Sequence, residues 1–425
     1  MKKNRLTGID LDVYEKTLKN GLHVIIVPYK LVNNAYVTYS TKFGSNDFEF
    51  YKDGKLIKTP EGVAHFLEHK MFENEDGVDV FNYFQKRGAN CNANTTNNKT
   101  TYLFSGNNKF YENLKFLLKY VEEPYFTDEN VNKEKGIIEQ EIMMYKDNPY
   151  SRIYEGLLNN VFINDPTKIP VIGTKKSVYS TTKEDLYDCY NTFYHPSNMF
   201  IIVTGNVDYE KTLEVIEEHE NSRNIGKAPI IKRKEIDEPD EVEKKHETLH
   251  LDITIPKIAI AYKINVKNFD AVERKYLYTV IYNVLKLKVG ATSELVEKLK
   301  KDGLITDEFD IGIVKASNHF MITIDNETKF PKEVIKLLME ELKDLTITKE
   351  QLERKKKTAI ASIILISDDI YNTNARIMND IIDKNFIEYD PIKRLKNYEI
   401  NHVNETIANI DFSNYSIFTV LPKTK

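Results

Sequence analysis

Cysteine is nearly missing: Cys91 and Cys189 are the only two among 425 residues. They form no CxxC pair, which excludes a thiolate zinc site. Their number allows one disulfide but nothing in the sequence supports it, and a reducing compartment is the plainer reading. Tryptophan is absent. No run approaches the ~18 apolar residues of a membrane span. The opening stretch MKKNRLTGIDLDVYEKT has basic residues but no apolar core, so no secretory signal is expected. A soluble, cytoplasmic protein without a membrane partner follows as the expectation. An excess of one charge is lacking too: 60 basic residues face 65 acidic ones, for a net charge of −5. A nucleic-acid partner would need a clustered basic face, and none is seen. The basic run Arg354 to Lys357 falls in a helical pattern and reads as a solvated face.

What is present is ordinary globular composition, 41% hydrophobic, in a chain longer than one domain usually holds. Leu22 to Pro28 and Ala35 to Phe43 are rich in β-branched and aromatic residues and read as strands. Thr100 to Ser105 and Met199 to Thr204 read likewise. Helical patterns cover Glu61 to Phe72, Val78 to Lys86, Lys109 to Glu122, Asp128 to Lys146 and Lys183 to Tyr194. A charged, aperiodic stretch from about Glu217 to His250 then reads as a linker. A second series follows, with strands at Ile258 to Ile264, Phe320 to Ile324 and Tyr415 to Leu421 and a helix at Ala271 to Lys288. Asn198 and Asn414 each lead into the closing strand of their series, a faint internal echo. The expected fold is α+β. It has two structurally related αβ halves, each a mostly antiparallel sheet with helices packed on one face. The expected division is 1–220 as the metal-bearing half, 221–250 as linker and 251–425 as the second half.

The sharpest motif is His65-Phe66-Leu67-Glu68-His69. Histidines four apart on a helix project from one face, close enough for both imidazoles to reach one zinc ion. Glu68 shares that face and is not needed as a ligand, so it is free to take a proton from water. Thr59-Pro60 just upstream reads as N-cap and first helical residue. A histidine pair without metal is the plainer alternative. With nine histidines, chance gives HxxEH roughly 2% of the time. A catalytic zinc takes three protein ligands. On the helix Asp128 to Lys146, with Thr127 as N-cap, residues Glu134, Ile137, Ile138, Glu141 and Tyr145 form one stripe expected to face inward. By spacing alone, Glu134 and Glu141 are equal candidates for the third ligand. Glu139 lies off the stripe and reads as solvated.

HFLEHKMF resembles the inverted motif of the pitrilysin family of zinc peptidases, the inverzincins. Insulin-degrading enzyme and mitochondrial processing peptidase are members. The family pairs two downstream glutamates seven apart, the second binding the metal. Glu134-Lys-Gly-Ile-Ile-Glu-Gln-Glu141 is similar to that pattern. The resemblance therefore implies zinc on His65, His69 and Glu141, with Glu68 and Glu134 as catalytic carboxylates. Gly88 to Ala93, followed by Thr100-Thr-Tyr102, resembles the family's active-site edge strand, where Asn92 and Ala93 would line the substrate backbone. The likeness extends to the short bacterial members, including a Bacillus type associated with elongation factor P modification.

One departure concerns partners. The family's second half usually contributes an Arg and a Tyr to the substrate site, where this chain has Lys300 and Thr306. Lys cannot reproduce the planar fork of Arg. The resemblance thus implies a homologous metal-less partner subunit that supplies the missing pair, or failing that a homodimer. The rival of another class is a non-catalytic, peptide-binding or scaffold subunit. The intact HxxEH and Glu141 weigh against it. His195 reads as a structural turn histidine.

Overall fold

The computed structural model describes residues 1–423. Two compact units result, each assembled from separate stretches of chain. The first unit comprises Met1–Ile142, Ile169–Lys234 and Ser362–Ile392. Its strands in chain order are β1 (Lys2–Leu6), β2 (Leu11–Thr17), β3 (His23–Pro28), β4 (Ala35–Thr41), β5 (Glu49–Lys52), β6 (Lys55–Lys58), β7 (Asn90–Thr95), β8 (Thr100–Ser105), β9 (Met199–Gly205) and β10 (Ile231–Arg233). Seven of them form one sheet in the order β1-β2-β3-β9-β4-β8-β7. The β3–β9 pair is parallel and the other neighbours are antiparallel.

The middle of that sheet is buried on both faces. Every residue of β9 is buried, which explains its unbroken apolar run in place of alternation. One face carries Val24, Ile26, Val37, Tyr39, Tyr102 and Val203, packed with Leu67, Leu114, Leu117 and Leu186 from the helices Val63–Lys70, Phe110–Glu122 and Lys183–Phe193. The other face carries Ile25, Val27, Phe200 and Ile202, covered by Ile377, Met378 and Ile381 of the helix Ile370–Lys384.

The second unit comprises Met143–Lys168, Glu235–Ala361 and Lys393–Lys425. Its strands are β11 (His246–Leu251), β12 (Lys257–Asn265), β13 (Phe309–Lys315), β14 (His319–Glu327) and β15 (Tyr415–Pro422), in the order β11-β15-β12-β14-β13. Only β11–β15 is parallel within it. This matches the run β3-β9-β4-β8-β7 strand for strand, so the two halves are related α+β sheets, as the echo before β9 and β15 implied. The helix Pro149–Val161 packs Ile153, Leu157, Leu158 and Val161 against Ala259, Met321, Phe418 and Val420.

The expected division at 220 and 250 differs from these units in two helices. Ile370–Lys384 belongs to the first unit and Pro149–Val161 to the second. Each sheet needs apolar cover on a further face, and a helix from the opposite half of the sequence provides it. Helices therefore pack on more than the one face expected. The expected linker is also anchored. Ile231–Arg233 pairs with β5, and the buried Glu238 accepts hydrogen bonds from the N–H groups of Ile163, Asn164 and Asp165 and from Lys263 Nζ. Among the described residues no helix is long and apolar enough to cross a membrane.

Candidate metal centre

All the residues of the centre lie in the first unit. The motif helix runs Val63–Lys70, and Ala64, Phe66 and Leu67 bury its inner side. Its start differs from expectation. Thr59 is not the cap; its hydroxyl donates to Phe48 O at 3.0 Å. The helix opens on Gly62, whose φ of 80° is a left-handed conformation. A Cβ there would lie 2.5 Å from Ile172 O and 2.8 Å from Gly173 Cα, so the chain crossing behind the helix demands glycine.

His65 and His69 share a face, their ring centroids 4.6 Å apart. Glu141 comes from the helix Asp128–Asp147. That helix is capped as expected: Asn130 N–H donates to Thr127 Oγ1 at 3.1 Å, and Thr127 N–H donates to Asn130 Oδ1 at 2.9 Å. Val131, Glu134, Ile138 and Ile142 form its buried stripe. Ile137 and Tyr145, expected inward, are 48% and 40% exposed. Ile137 lies beyond Glu141 at the margin of the stripe, and Tyr145 follows Ile142, the last buried residue of this helix. Glu139 is not simply solvated: it accepts from Tyr179 Oη at 2.6 Å and pairs with Lys175.

Nε2 of His65 lies 3.8 Å from Glu141 Oε1, and Nε2 of His69 lies 3.5 Å from Glu141 Oε2. One ligand atom from each of the three lies within 4.8 Å of the others. Donors about 2.0–2.2 Å from a tetrahedral zinc stand about 3.4 Å apart, so the set suits that ion. Burial, reinforced by the neighbouring His69, drives the His65 imidazole down to about 3, keeping it in the neutral form that binds metals. Burial would lower His69 as well, but the hydrogen bond to Glu134 and the charges of Glu134, Glu68 and Glu141 outweigh it and raise this group. His69 Nδ1 is 2.9 Å from Glu134 Oε1. With Nε2 turned to the ligand cluster, Nδ1 carries the proton and donates to Glu134, which fixes tautomer and ring orientation. Glu134 is buried, yet His69 and Lys70 more than offset that burial and hold its carboxyl below the usual range. Spacing left Glu134 and Glu141 level; in the fold Glu141 faces both Nε2 atoms and Glu134 faces the back of one ring.

Glu68 is 8% exposed. Burial raises its carboxyl above the usual range, against the opposing hydrogen bond from Thr95 and the charge of His69. Thr95 Oγ1 donates to Glu68 Oε2 at 2.5 Å. Asn92 and Ala93 lie on β7, the last strand of the sheet. Alternation exposes Asn90, Asn92 and Asn94 and half-buries Cys91, Ala93 and Thr95. Asn92 Oδ1 accepts from the Ala93 N–H at 2.9 Å.

Two residues of the centre escaped the sequence reading. Thr95 acts across a strand-to-helix packing that no spacing encodes. Lys70 is fully buried, its Nζ 2.8 Å from Glu73 Oε1 and 3.7 Å from Glu134 Oε2. Its signal was a lysine immediately after His69 in a helix whose neighbours are apolar. Lys300 and Thr306 lie in the second unit, where Lys300 Nζ pairs with Asp307 at 2.9 Å and Thr306 Oγ1 accepts from Glu308 N–H. His195 closes a turn with Ser197 Oγ at 2.8 Å. Cys91 and Cys189 are both free thiols.

Comparison with known proteins places this geometry. A crystal structure of an M16-like peptidase from Alicyclobacillus acidocaldarius matches with a TM-score of 0.92 and 30% identity, covering 97% of this chain and 99% of that one. The structure of a protease from Helicobacter pylori shares the fold at a TM-score of 0.82 and 18% identity, covering 96% and 99%. Fold and site thus define the class: peptidases built from two similar αβ halves. The sequence narrows it further. The zinc protease YmfH of Bacillus subtilis (strain 168) is 36% identical over 352 residues, 81% of this chain and 82% of its own length. The family described as "Insulinase (Peptidase family M16)" matches residues 54–175, and "Peptidase M16 inactive domain" matches 180–359. The chain belongs to peptidase family M16.

Proposed function

We propose that this chain is a zinc metalloendopeptidase acting on peptides and unstructured segments. The observation that carries the reading is the convergence of His65 Nε2, His69 Nε2 and the Glu141 carboxylate on one point, beside a buried Glu68 on the same helix. Zinc held by these three would polarise a scissile carbonyl and lower the pKa of water. Glu68 takes the proton of the attacking water and passes it to the leaving amine. Glu134 keeps His69 in the tautomer that leaves Nε2 free for the metal. The peptide adds as a further strand to β7 beside Asn92 and Ala93, held mainly through its backbone.

The partner belongs to the same proposal. Lys300 and Thr306 stand where the family places Arg and Tyr. A homologous metal-less subunit supplying that pair would complete the substrate site. The test is digestion of an unfolded peptide pool by the purified chain with added zinc, then with a chelator, then with zinc restored. Chelator-sensitive cleavage supports the peptidase. Full activity of the isolated chain overturns the need for a partner. A chain that binds peptide and never cleaves, even with a homologous partner present, is the non-catalytic subunit instead.

A further inference from the structure

Glu68 is a carboxylate in an unfavourable place. It is 8% exposed, on the helix that also carries His65 and His69. Such a group needs hydrogen bonds to stay charged and fixed. Among the described residues one reaches it, from Thr95 Oγ1 to Oε2 at 2.5 Å. Thr95 is the last residue of β7 and lies directly across from Thr100 on β8. The Thr100 hydroxyl stands 3.4 Å from that of Thr95 and donates to Phe43 O at 2.9 Å. The hydroxyl that grips Glu68 is therefore carried by a sheet position, and its side chain projects from the same half-buried face of β7 as Ala93.

We propose that Thr95 is a positioning residue for Glu68. It ties the base to the strand that receives the substrate. Holding Oε2 as acceptor leaves Oε1 as the oxygen that takes the proton. Because Ala93 and Thr95 are two residues apart on one rigid strand, a peptide paired along β7 is held in fixed register with that oxygen. Small errors in such placement are costly to rate and cheap to binding. This inference rests on the peptidase reading above.

The experiment compares Thr95→Val, which keeps shape and loses the hydroxyl, with Thr95→Ser, which keeps the hydroxyl. Zinc stoichiometry, kcat and KM are measured for each. Thr95→Val is expected to retain one zinc and its KM while kcat falls ~10- to 100-fold, and Thr95→Ser to recover most of that loss. A second readout needs no activity. In metal-free protein, Thr95→Val should lower the melting temperature, and the same change in a Glu68→Met background should lower it far less. Equal loss of kcat in the Val and Ser variants would overturn the proposal. So would melting shifts that simply add in the double variant. Absence of cleavage by the wild type, even with a homologous partner present, would instead count against the peptidase reading, with the melting comparison still deciding whether Thr95 holds Glu68.

Discussion

Glu134 and Glu141 sit two turns apart on one helix and face different atoms of the same imidazole. Their substitutions should separate accordingly. Glu141→Ala removes a donor and is expected to abolish stoichiometric zinc binding. Glu134→Gln leaves the donors in place and should weaken zinc ~10- to 100-fold, since it loosens only the orientation of His69. Equilibrium competition with a chelator checks both, and equal effects would contradict the assignment. A second residue-level prediction concerns Glu220. It is buried against Glu122, with Arg223 Nη1 reaching both carboxylates at 3.1 and 2.9 Å. Asn20 Nδ2 and Tyr39 Oη donate to Glu220 and Glu122 respectively, and His219 Nε2 lies beside Glu122. Glu220 Oε1 is buried with no donor, the natural seat of a shared proton. Burial first, and the Glu122 charge next, push Glu220 up from 4.5 to about 8. The folded chain thus holds a proton that the unfolded chain releases. This stability is complete below pH 4.5 and is lost as the pH climbs through about 8. Glu220→Gln stays neutral throughout, so it should gain on the wild type as pH rises. Melting temperatures from pH 5 to 9 check this; a constant difference would contradict it. At this scale His65, Glu68 and His69 were legible because their geometry is local to one helix. Glu141 needed the family resemblance, and Thr95 and Lys70 needed the fold, because their partners are set by packing between elements.

Among the elements, the helix Pro149–Val161 shows how closely the sheets are covered. A Cβ on Gly156 would lie 2.3 Å from the Phe418 ring on β15. Gly156→Ala gains up to about 1 kcal/mol of helix propensity. Overpacking a filled core costs about 1–3 kcal/mol. Net destabilisation of the second unit by about 1 kcal/mol is expected in denaturant unfolding, and net stabilisation would contradict the packing. The type of most elements was readable, and two coincide with the sequence reading to the residue: Thr100–Ser105 and Ala271–Lys288. The misses have physical causes. Thr59-Pro60 looks like a helix start, but a left-handed glycine with a chain crossing behind it begins the helix three residues later. The strands Lys2–Leu6 and Phe309–Lys315 lie at sheet edges; the first is polar and mostly exposed, and the second, interrupted by Gly312, is largely half-buried, so neither alternates cleanly.

For the whole molecule, the two-halved α+β fold was legible from the repeated order of elements, while the exchange of one helix by each half was not. Nothing in Pro149–Val161 or Ile370–Lys384 names the sheet it covers; both are simply amphipathic, and only the three-dimensional arrangement decides which core takes them. The central claim at this scale is that one half carries a complete hydrolytic centre whose base is Glu68. The most direct measurement sets purified wild type beside Glu68→Gln, with metal content and peptide cleavage determined for both. The expected result is one zinc in each protein, cleavage by the wild type, and a rate at least ~100-fold lower in the variant. Undiminished cleavage by Glu68→Gln, or a wild-type chain that takes up no zinc, would contradict it.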